Sequence, residues 1–364
     1  MQLRPVSRSD CVISNVGDVL IPEPIRDPAT DAIKVLRSSD IVFANLEGAA
    51  TDRGVPADKW ATLRQKPSLL CEYKKMNITV LDLANNHMLD YGQVGLLDTL
   101  QNLSREGFKH VGGGHDLREA LKPALFEYGR LTIGFLGFAS TLPFESPAKA
   151  GRPGIAPVRV HTTHHFDPAA ELEQPGTPPV TFTEPDEEDL KQMREAVRSA
   201  KRRADYVIVG AHWGMPYQET VIDYQSEVGH ALIDAGANLV IGNHAHRLQP
   251  IEAYHGDVIF HSLGNFLFDL PKEFKAPTTK WNFWPPRLGA WSESDESAIV
   301  RVELNSKRDA SIAVIPTVRK GRGYTRITDA PTSRRILTHL GEISENLNVK
   351  LKISGKKALV LTKR

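Results

Sequence analysis

The chain has 364 residues with 41% hydrophobic content, which is enough to bury a sizeable core in one large domain or two. Its 45 basic and 44 acidic side chains nearly cancel, so no overall field favours nucleic acid or anionic lipid as a partner. No apolar run is long enough for a signal peptide or a membrane-spanning helix, and the two cysteines, Cys11 and Cys71, are too few for a disulfide scaffold. We therefore expect a cytoplasmic protein with free thiols, and neither a nucleic-acid nor a membrane partner.

Short apolar runs alternate with amphipathic segments over the first 270 residues, which predicts an α/β fold. The predicted strands, in chain order, are CVISNVGD, DIVFANLEG, ITVLDLANN, LTIGFLGFAS, YVIVGAHWG, NLVIGNHAH and VIFHSLGNF. The predicted helices are PSLLCEYKKM, GQVGLLDTLQNLSREG, EEDLKQMREAVRSAKRRA and YQSEVGHALIDAG. Gly107 is the expected C-terminal stop of the second helix.

Two segments interrupt this alternation. Residues 143–185 contain nine prolines, which predicts a long ordered loop or lid. Residues 270–296 are rich in tryptophan, and they either wall a substrate pocket or cover an edge of the fold.

The C-terminal part predicts antiparallel strands at ESAIVRVEL and ASIAVIPTV, then a helix near Ser333–Leu347 and a hairpin that turns at Ser354-Gly355. We expect one domain over residues 1–304, which includes both interrupting segments. Residues 305–364 are expected to be an extension that completes this domain or packs on it.

The predicted strands end in polar residues. The set is Asp18, Glu47, Asn85, Asn86, His87, His212, His244 and His246. In open α/β sheets the carboxyl ends of the strands form the ligand-binding edge, so we expect these side chains to meet there. Each one alone could be a turn residue, a helix cap or a hydrogen-bonded structural residue. Their recurrence at strand after strand favours a shared site.

Carboxylate, amide and imidazole groups together have the composition of a metal site for Mn, Fe or Zn. The set exceeds what one tetrahedral ion needs, so it predicts a dinuclear centre with ions roughly 3.5–4 Å apart and Asp18 as a bridge. If His244-Ala245-His246 is extended, both imidazoles project to the same side. A metal-bound hydroxide at such a centre would suit hydrolysis.

The segments VGD, NLEG, LANNHMLDYG, GAHWG, LIDAGANLVIGNHAH and SLGNF resemble, in order and spacing, the CapA family of poly-γ-glutamate capsule biosynthesis proteins. This family lies within the calcineurin-like metallophosphoesterase superfamily, and the resemblance covers roughly residues 11–270. It implies a four-layer α/β/β/α sandwich with two divalent ions. It also implies roles for single residues. The metal ligands would be Asp18, Glu47, Asn86, His212, His244 and His246. His87 would assist the leaving group, and Asp90 would orient it.

The chain departs from the superfamily pattern in several places. The D-x-H motif is Asp18-Val19-Leu20, and Glu47 replaces the bridging aspartate. Within the CapA branch, Ala245 stands where proline is common, and Pro216 stands where a glutamate is expected.

Three further residues are candidates for substrate binding. Arg64 and Lys66 could reach an anionic group, although an ordinary solvated surface is the alternative, and Trp213 follows the predicted ligand His212. The histidines His161, His164 and His165 have no predicted strand behind them, so we do not expect them to bind metal. Gly112–Gly114 is expected to be a turn, because no P-loop lysine follows.

These features predict a soluble metal-dependent hydrolase that acts on an amide bond, including γ-glutamyl amides, or on a phosphoester. Its substrate is expected to be a small or oligomeric anion. The alternative is a non-catalytic accessory or assembly protein of poly-γ-glutamate biosynthesis. Capsule-assembly members usually carry an N-terminal hydrophobic segment, and its absence from this sequence favours the hydrolase.

Overall fold

The computed structural model describes residues 10–59, 61–270 and 294–362. The tryptophan-rich segment, with Trp281, Phe283, Trp284 and Trp291, lies outside the described residues. Its predicted role therefore stays a prediction.

The strands of the first half are β1 (Cys11–Leu20), β2 (Ile41–Leu46), β3 (Ala49–Ala50), β4 (Arg64–Gln65), β5 (Val80–Asp82), β6 (Lys109–Val111), β7 (Gly113–Gly114), β8 (Ala124–Tyr128), β9 (Leu131–Ala139), β10 (Gly154–Ile155), β11 (Val160–His165) and β12 (Val180–Pro185). Those of the second half are β13 (Tyr206–His212), β14 (Leu239–Asn243), β15 (Ile251–Tyr254), β16 (Asp257–Phe260), β17 (Asn265–Phe268), β18 (Glu296–Leu304), β19 (Ala310–Arg319), β20 (Thr325–Ile327), β21 (Val349–Ser354) and β22 (Lys357–Thr362). The helices are α1 (Asp31–Arg37), α2 (Leu70–Lys75), α3 (Gly92–Glu106), α4 (Leu117–Ala120), α5 (Pro168–Glu173), α6 (Glu187–Lys201), α7 (Asp223–Asp234) and α8 (Ala330–Ile343).

Two large sheets organise the chain. The larger has ten strands in the order β21-β22-β19-β18-β1-β2-β5-β6, with β17 also paired to β1 and β20 to β19. The smaller has six strands in the order β15-β16-β14-β13-β9-β8. The strands β1, β2, β5 and β6 are parallel, as are β9, β13, β14 and β16. Parallel strands are buried on both faces, which explains why they read as continuous apolar runs.

The two sheets pack face to face, with helices on both outer faces. The core between the sheets includes Ile13 and Phe43 from the larger sheet and Phe135 and Ile208 from the smaller. The helices α1, α2 and α3 cover the larger sheet, with buried side chains that include Ile33, Leu36, Tyr73, Leu96 and Leu103. The helices α6 and α7 cover the smaller sheet through residues that include Met193, Val197, Val228 and Leu232. The predicted four-layer α/β/β/α sandwich is confirmed.

Local signals set most of the helix boundaries. Gly107 ends α3 with a φ of 77°, a left-handed conformation that glycine adopts without a steric penalty. Asp186 caps the first turn of α6 by accepting a hydrogen bond from the backbone N–H of Asp189. Asp329 does the same at the start of α8 for the N–H of Thr332. These caps satisfy backbone donors that have no partner within their helix.

Two sequence predictions about the elements are wrong. Residues 143–185 are not one long loop, because they contain β10, the β11–β12 hairpin and α5. Two of the nine prolines occupy positions that these elements tolerate, with Pro168 in the first turn of α5 and Pro185 at the end of β12. The segment VIFHSLGNF is two strands in different sheets, since Gly264, at a φ of 71°, lets the chain turn between β16 and β17.

The C-terminal residues contribute to both the larger sheet and the core. The strand β18 pairs with β19 along the whole length of β18, and β22 pairs with β19. Both cysteines are free thiols, as predicted. No helix among the described residues is long and apolar enough to cross a membrane. The cytoplasmic location stays a prediction.

Candidate metal centre

Two neighbouring strands of the larger sheet supply the buried carboxylates of the site. Asp18 lies within β1, at a bulge where the register with β17 shifts, and Glu47 directly follows β2. Both side chains are fully buried. The prediction that the first strand ends at Asp18 is wrong, because β1 continues to Leu20. A bulge re-aims a side chain without ending the strand, which is how Asp18 reaches the site.

His246 lies between these two carboxylates. Its Nδ1 is 3.4 Å from Asp18 Oδ2, and its Nε2 is 3.7 Å from Glu47 Oε1. One ligand atom from each of Asp18, Glu47 and His246 lies within 4.8 Å of the others. Among the described residues this is the one such group of three or more His, Cys, Asp or Glu side chains.

A second group of predicted ligands lies on the smaller sheet and on the turn after β5. His212 Nε2 is 2.9 Å from Asn86 Oδ1 and 3.1 Å from His244 Nδ1. The backbone N–H of His244 also donates to Asp18 Oδ2, at 3.3 Å, so the second group adjoins the first. The structure thus brings together all six predicted metal ligands, as two adjoining groups of three.

The backbone after β14 is not extended, which corrects the expected geometry of His244-Ala245-His246. β14 ends at Asn243, and His244 and His246 have φ values of 85° and 54°. Positive φ is uncommon for residues other than glycine, and such strain concentrates at functional sites. The ring centroids of the two imidazoles lie 6.1 Å apart.

The surroundings shift the pKa values of the three histidines in different directions. Burial and the neighbouring histidines lower the pKa of His212 well below 6.5, and the same two causes lower the pKa of His244 to about 3. Burial also opposes the charge on His246, but Glu47 and Asp18 outweigh it and raise its pKa to about 10. His212 and His244 are therefore neutral and keep a lone pair for a metal ion.

His87 and Asp90 form a hydrogen-bonded pair in the turn that follows β5. His87 Nδ1 is 2.6 Å from Asp90 Oδ2, and both side chains are buried. Burial lowers the pKa of His87 from 6.5, although the bond to Asp90 acts in the opposite direction. An Nδ1–H that donates to a carboxylate fixes the tautomer and leaves Nε2 for proton exchange.

Four residues of the site were missed by the sequence analysis. The amide of Asn45 donates to Asp18 Oδ1 at 2.7 Å, and Asn265 Oδ1 lies 2.8 Å from His246 Nδ1. The ring of Tyr217 stacks on His246 with centroids 5.6 Å apart, and Lys59 pairs with Asp90. A buried asparagine inside the apolar run IVFANL was a usable signal for Asn45. Nothing in the polar stretch around Lys59 marked it.

Asn85, for which the sequence predicted no chemistry, makes hydrogen bonds that hold the site residues in place. Its amide donates to Asn45 Oδ1 at 3.0 Å and to the Leu46 carbonyl at 2.8 Å. Its Oδ1 accepts the backbone N–H of His87. It therefore ties the turn that carries Asn86 and His87 to the strand that carries Asn45.

The three candidate substrate-binding residues lie in different surroundings. Arg64 and Lys66 are exposed, and the Arg64 guanidinium lies 4.4 Å from the ring centroid of Tyr91, next to Asp90. Trp213 is fully buried, and its indole N–H donates to the His261 carbonyl at 2.9 Å. This position corrects the prediction for Trp213, because its side chain belongs to the core of the smaller sheet.

His161, His164 and His165, which are not expected to bind metal, lie on β11. They are exposed and point to different partners, with His161 at 3.1 Å from Asp186 and His164 at 3.1 Å from Thr181. The expectation that no strand lies behind them is wrong, since all three belong to β11.

The donor atoms fit a divalent metal ion. Two buried carboxylates at one place need a compensating cation, and their charge is what raises the pKa of the adjacent His246. A metal ion held by Asp18, Glu47 and His246 would supply the compensating charge. Oxygen and imidazole ligands suit Mn, Fe and Zn alike.

Comparison with known proteins supplies the family. The model of the bacterial capsule synthesis protein PGA_cap matches residues 10–270. The chain is 29% identical over 366 aligned positions to "PGA biosynthesis protein CapA" of Bacillus subtilis (strain 168), covering 96% of this chain and 82% of that one. It is 28% identical to "Capsule biosynthesis protein CapA" of Bacillus anthracis, covering 89% and 71%.

A third relative bears a different name. The "probable polyglutamine synthesis accessory protein" of Mycobacterium tuberculosis is 32% identical, over 70% of this chain and 62% of that protein. The predicted relation to CapA is confirmed. On the match of residues 10–270, which is well over half of its length, the chain belongs to the bacterial capsule synthesis protein (PGA_cap) family.

Proposed function

We propose that the chain is a metal-dependent hydrolase of the capsule synthesis family, acting on an amide bond such as a γ-glutamyl amide or on a phosphoester. One observation carries the proposal. The buried group of Asp18, Glu47 and His246 has ligand atoms within 4.8 Å of one another, and Asp18 accepts the backbone N–H of His244. The contacts of His244 with His212 and of His212 with Asn86 connect this group to the turn of the hydrogen-bonded His87–Asp90 pair. A cluster that holds metal and a group that moves protons are the two parts that metal-assisted hydrolysis needs.

The ligands would divide between two ions. Asp18, Glu47 and His246 would hold one ion, and Asn86, His212 and His244 the other, with Asp18 adjoining both groups. Bound divalent ions would supply Lewis acidity and a water of lowered pKa. The rings of Tyr217 and Phe268 flank His246 and shield it from bulk water.

His87 is the proposed proton carrier. Because its pKa is lowered, its imidazole is neutral at neutral pH and can accept a proton at Nε2. The hydrogen bond from Nδ1 to Asp90 stabilises the imidazolium that forms, and Nε2 then returns the proton to the leaving group. Asp90 itself keeps the ring oriented and takes no proton in this scheme.

The substrate class is proposed from the relatives and from local charge. The two Bacillus relatives are named for capsule or PGA biosynthesis, and poly-γ-glutamate is a polyanion joined by γ-glutamyl amide bonds. Arg64, which is exposed beside Tyr91, offers a cation next to the turn of His87. An oligomeric γ-glutamyl anion would bind both to the proposed metal ions and to this arginine.

A non-catalytic accessory role is the second candidate. The name of the mycobacterial relative, an accessory protein of polymer synthesis, favours it. Such a protein would bind polymer or a partner through the same surface and would show no metal-dependent turnover.

Elemental analysis of the purified protein, coupled to a substrate screen, tests the proposal. The screen contains a phosphomonoester, a phosphodiester and γ-glutamyl amides, each assayed with Mn²⁺, Fe²⁺ or Zn²⁺. The expected result is bound metal and turnover that chelation abolishes and added metal restores. The test variant is Asp18→Asn, which removes the charge of a proposed ligand at nearly constant volume. It should lose both bound metal and turnover. Bound polymer without turnover under any metal would establish the accessory role instead.

A further inference from the structure

Lys59 joins the two ends of the turn that carries the proposed site residues. Its Nζ lies 2.5 Å from Asp90 Oδ1 and 2.9 Å from the carbonyl oxygen of Asn86. It also lies 3.5 Å from His87 Nδ1. The side chain of Lys59 is only 21% exposed, so its ammonium group sits at the edge of the site and not in open solvent. One ammonium group therefore contacts the metal-ligand residue, the proton carrier and the orienting carboxylate.

The two carboxylate oxygens of Asp90 accept hydrogen bonds from different donors. Oδ1 accepts from Lys59, whereas Oδ2 accepts from the backbone N–H of Leu63 and from His87 Nδ1. The side chain of Asp90 is 1% exposed, so a charge there needs compensation within the protein. Because Lys59 occupies Oδ1, only Oδ2 faces His87, and the plane of the carboxylate is fixed.

The segment around Lys59 is itself anchored to the same turn. The backbone N–H of Ala57 donates to the Asp90 carbonyl at 2.7 Å, and that of Leu63 donates to the Asp90 side chain at 2.6 Å. Lys59 is thus placed by backbone hydrogen bonds on both sides of it in the chain. This arrangement restricts the ammonium group to the space between Asn86 and Asp90.

From this geometry we propose that Lys59 is a positioning residue for the His87–Asp90 pair. It holds Asp90 so that His87 Nδ1–H has one acceptor in one orientation, and it ties that orientation to the Asn86 peptide. This inference rests on the proposed function for its kinetic consequence but not for its structural one. A role limited to charge compensation would stabilise the fold without fixing the imidazole.

The test compares Lys59→Met, which removes the ammonium group, with Lys59→Arg, which keeps a cationic donor. Lys74→Met is the control, because it removes a lysine whose Nζ pairs with Glu106 at 2.6 Å, outside this turn. The direct readout is the downfield imidazole N–H proton resonance of His87 in the metal-free protein, assigned by its loss in His87→Asn. The kinetic readout is kcat against KM with the substrate that the screen identifies.

We expect Lys59→Met to shift or broaden the His87 resonance and to lower kcat about 10- to 100-fold, as the loss of supporting partners around a metal site typically does, with KM within about twofold. Lys59→Arg should recover most of both, and Lys74→Met should change neither. If Lys59→Met does not fold, Lys59→Gln is measured in the same way.

An unmoved His87 resonance in Lys59→Met, with lower thermal stability alone, would overturn the inference. If the wild-type protein shows no metal-dependent turnover, the proposed function fails. The resonance still decides whether Lys59 positions His87, so the two failures are distinguishable.

Discussion

His244 and His246 show how strongly the surroundings of a single residue determine its chemistry. The two lie two residues apart, yet the pKa of His244 is lowered to about 3 by burial and by its charged neighbour, while that of His246 is raised to about 10. The difference comes from Glu47 and Asp18, which contact His246 from the larger sheet. One short motif therefore carries two imidazoles whose pKa values are shifted in opposite directions.

Replacing His87 should separate proton transfer from metal binding. His87→Asn keeps a polar side chain at this position but cannot carry the proton. We expect kcat to fall by about 10²–10⁴, the usual contribution of general acid–base catalysis. Metal content, measured by elemental analysis, should stay near that of the wild type. Loss of metal from this variant would make His87 a ligand and contradict its assigned role.

Asp82 should make the stability of the protein depend on pH. Burial, together with the charge of Asp18, raises the pKa of Asp82 well above 3.8, although the N–H of Ala84 acts in the opposite direction. It lies between the sheets, where an added Cβ at Gly137 or Gly210 would fall 2.1 Å from its carboxylate oxygens. A raised pKa in the folded state means that the free energy of unfolding falls as the pH rises above 3.8, through the folded pKa.

Asp82→Asn cannot ionise, so its free energy of unfolding should fall less than that of the wild type between pH 5 and pH 8. Urea denaturation of both proteins at the two pH values, with a chelator present, measures the difference. Parallel pH dependences would mean that Asp82 ionises as easily in the folded state as in the unfolded chain.

At the scale of the single residue, sequence pattern predicted the ligands better than their supports. Asp18, Glu47 and the three histidines follow or interrupt apolar runs, and this pattern is visible without a structure. Lys59 and Asn265 act through contacts with residues about 20 to 30 positions away, and no periodicity connects such pairs. Trp213 was assigned to the site only because it follows His212 in the chain. Successive residues of an extended chain point to opposite faces of a sheet, so the neighbour of a ligand need not face the site.

At the scale of the element, the helices and parallel strands were predictable, whereas the irregular geometry was not. Gly107 marked the end of α3, and the apolar runs marked β2, β9 and β13. The bulge at Asp18 and the positive φ angles of His244 and His246 depend on contacts between strands. Local propensity does not encode such contacts, so the site was predicted in composition but not in shape.

Gly17 of β1 lies against the backbone of Gly264, just before β17. An alanine Cβ at Gly17 would lie 1.8 Å from the Gly264 carbonyl oxygen, so the backbone would have to move. We expect Gly17→Ala to lower the free energy of unfolding by about 1–3 kcal/mol, as overpacking does in cores, and to weaken metal binding. The neighbouring Asn265, which contacts His246, would be displaced with Gly264.

Gly341→Ala is the matched control for this substitution. Gly341 lies in α8, and no atom comes within 4 Å of an added Cβ there. Its stability should be unchanged or slightly higher, because alanine favours the helix. Denaturant titration of both variants measures the two effects. Equal stability of Gly17→Ala and the wild type would show that the backbone at Gly17 and Gly264 has room for a Cβ.

At the scale of the whole molecule, the C-terminal residues belong to the same core as the site-bearing strands. The core between the sheets includes Ile312, Val314, Leu337, Leu340 and Val360. Fully burying one such side chain stabilises a protein by about 1.5–3 kcal/mol, so several of them together exceed a typical net stability. We infer that residues 305–362 are required for folding, although the family match ends at residue 270.

A chain that ends at Leu304 should therefore be insoluble or unfolded, because β18 would become a bare edge strand above an exposed core. The control replaces residues 161–184 with a short Gly-Ser linker, since β11 and β12 pair only with each other among the described strands. This control should stay folded. Solubility and circular dichroism measure both, and a cooperative melt of the chain ending at Leu304 would contradict the inference.

The central claim is that the two sheets together hold a metal centre at Asp18, Glu47 and His246. Anomalous diffraction from crystals soaked in Mn²⁺ or Zn²⁺ tests it most directly, because it locates the ion without assuming any activity. We expect an anomalous peak within bonding distance of these three side chains, with a second peak near Asn86, His212 and His244. Peaks at other places only, with these six side chains free of metal at saturating concentration, would contradict the account.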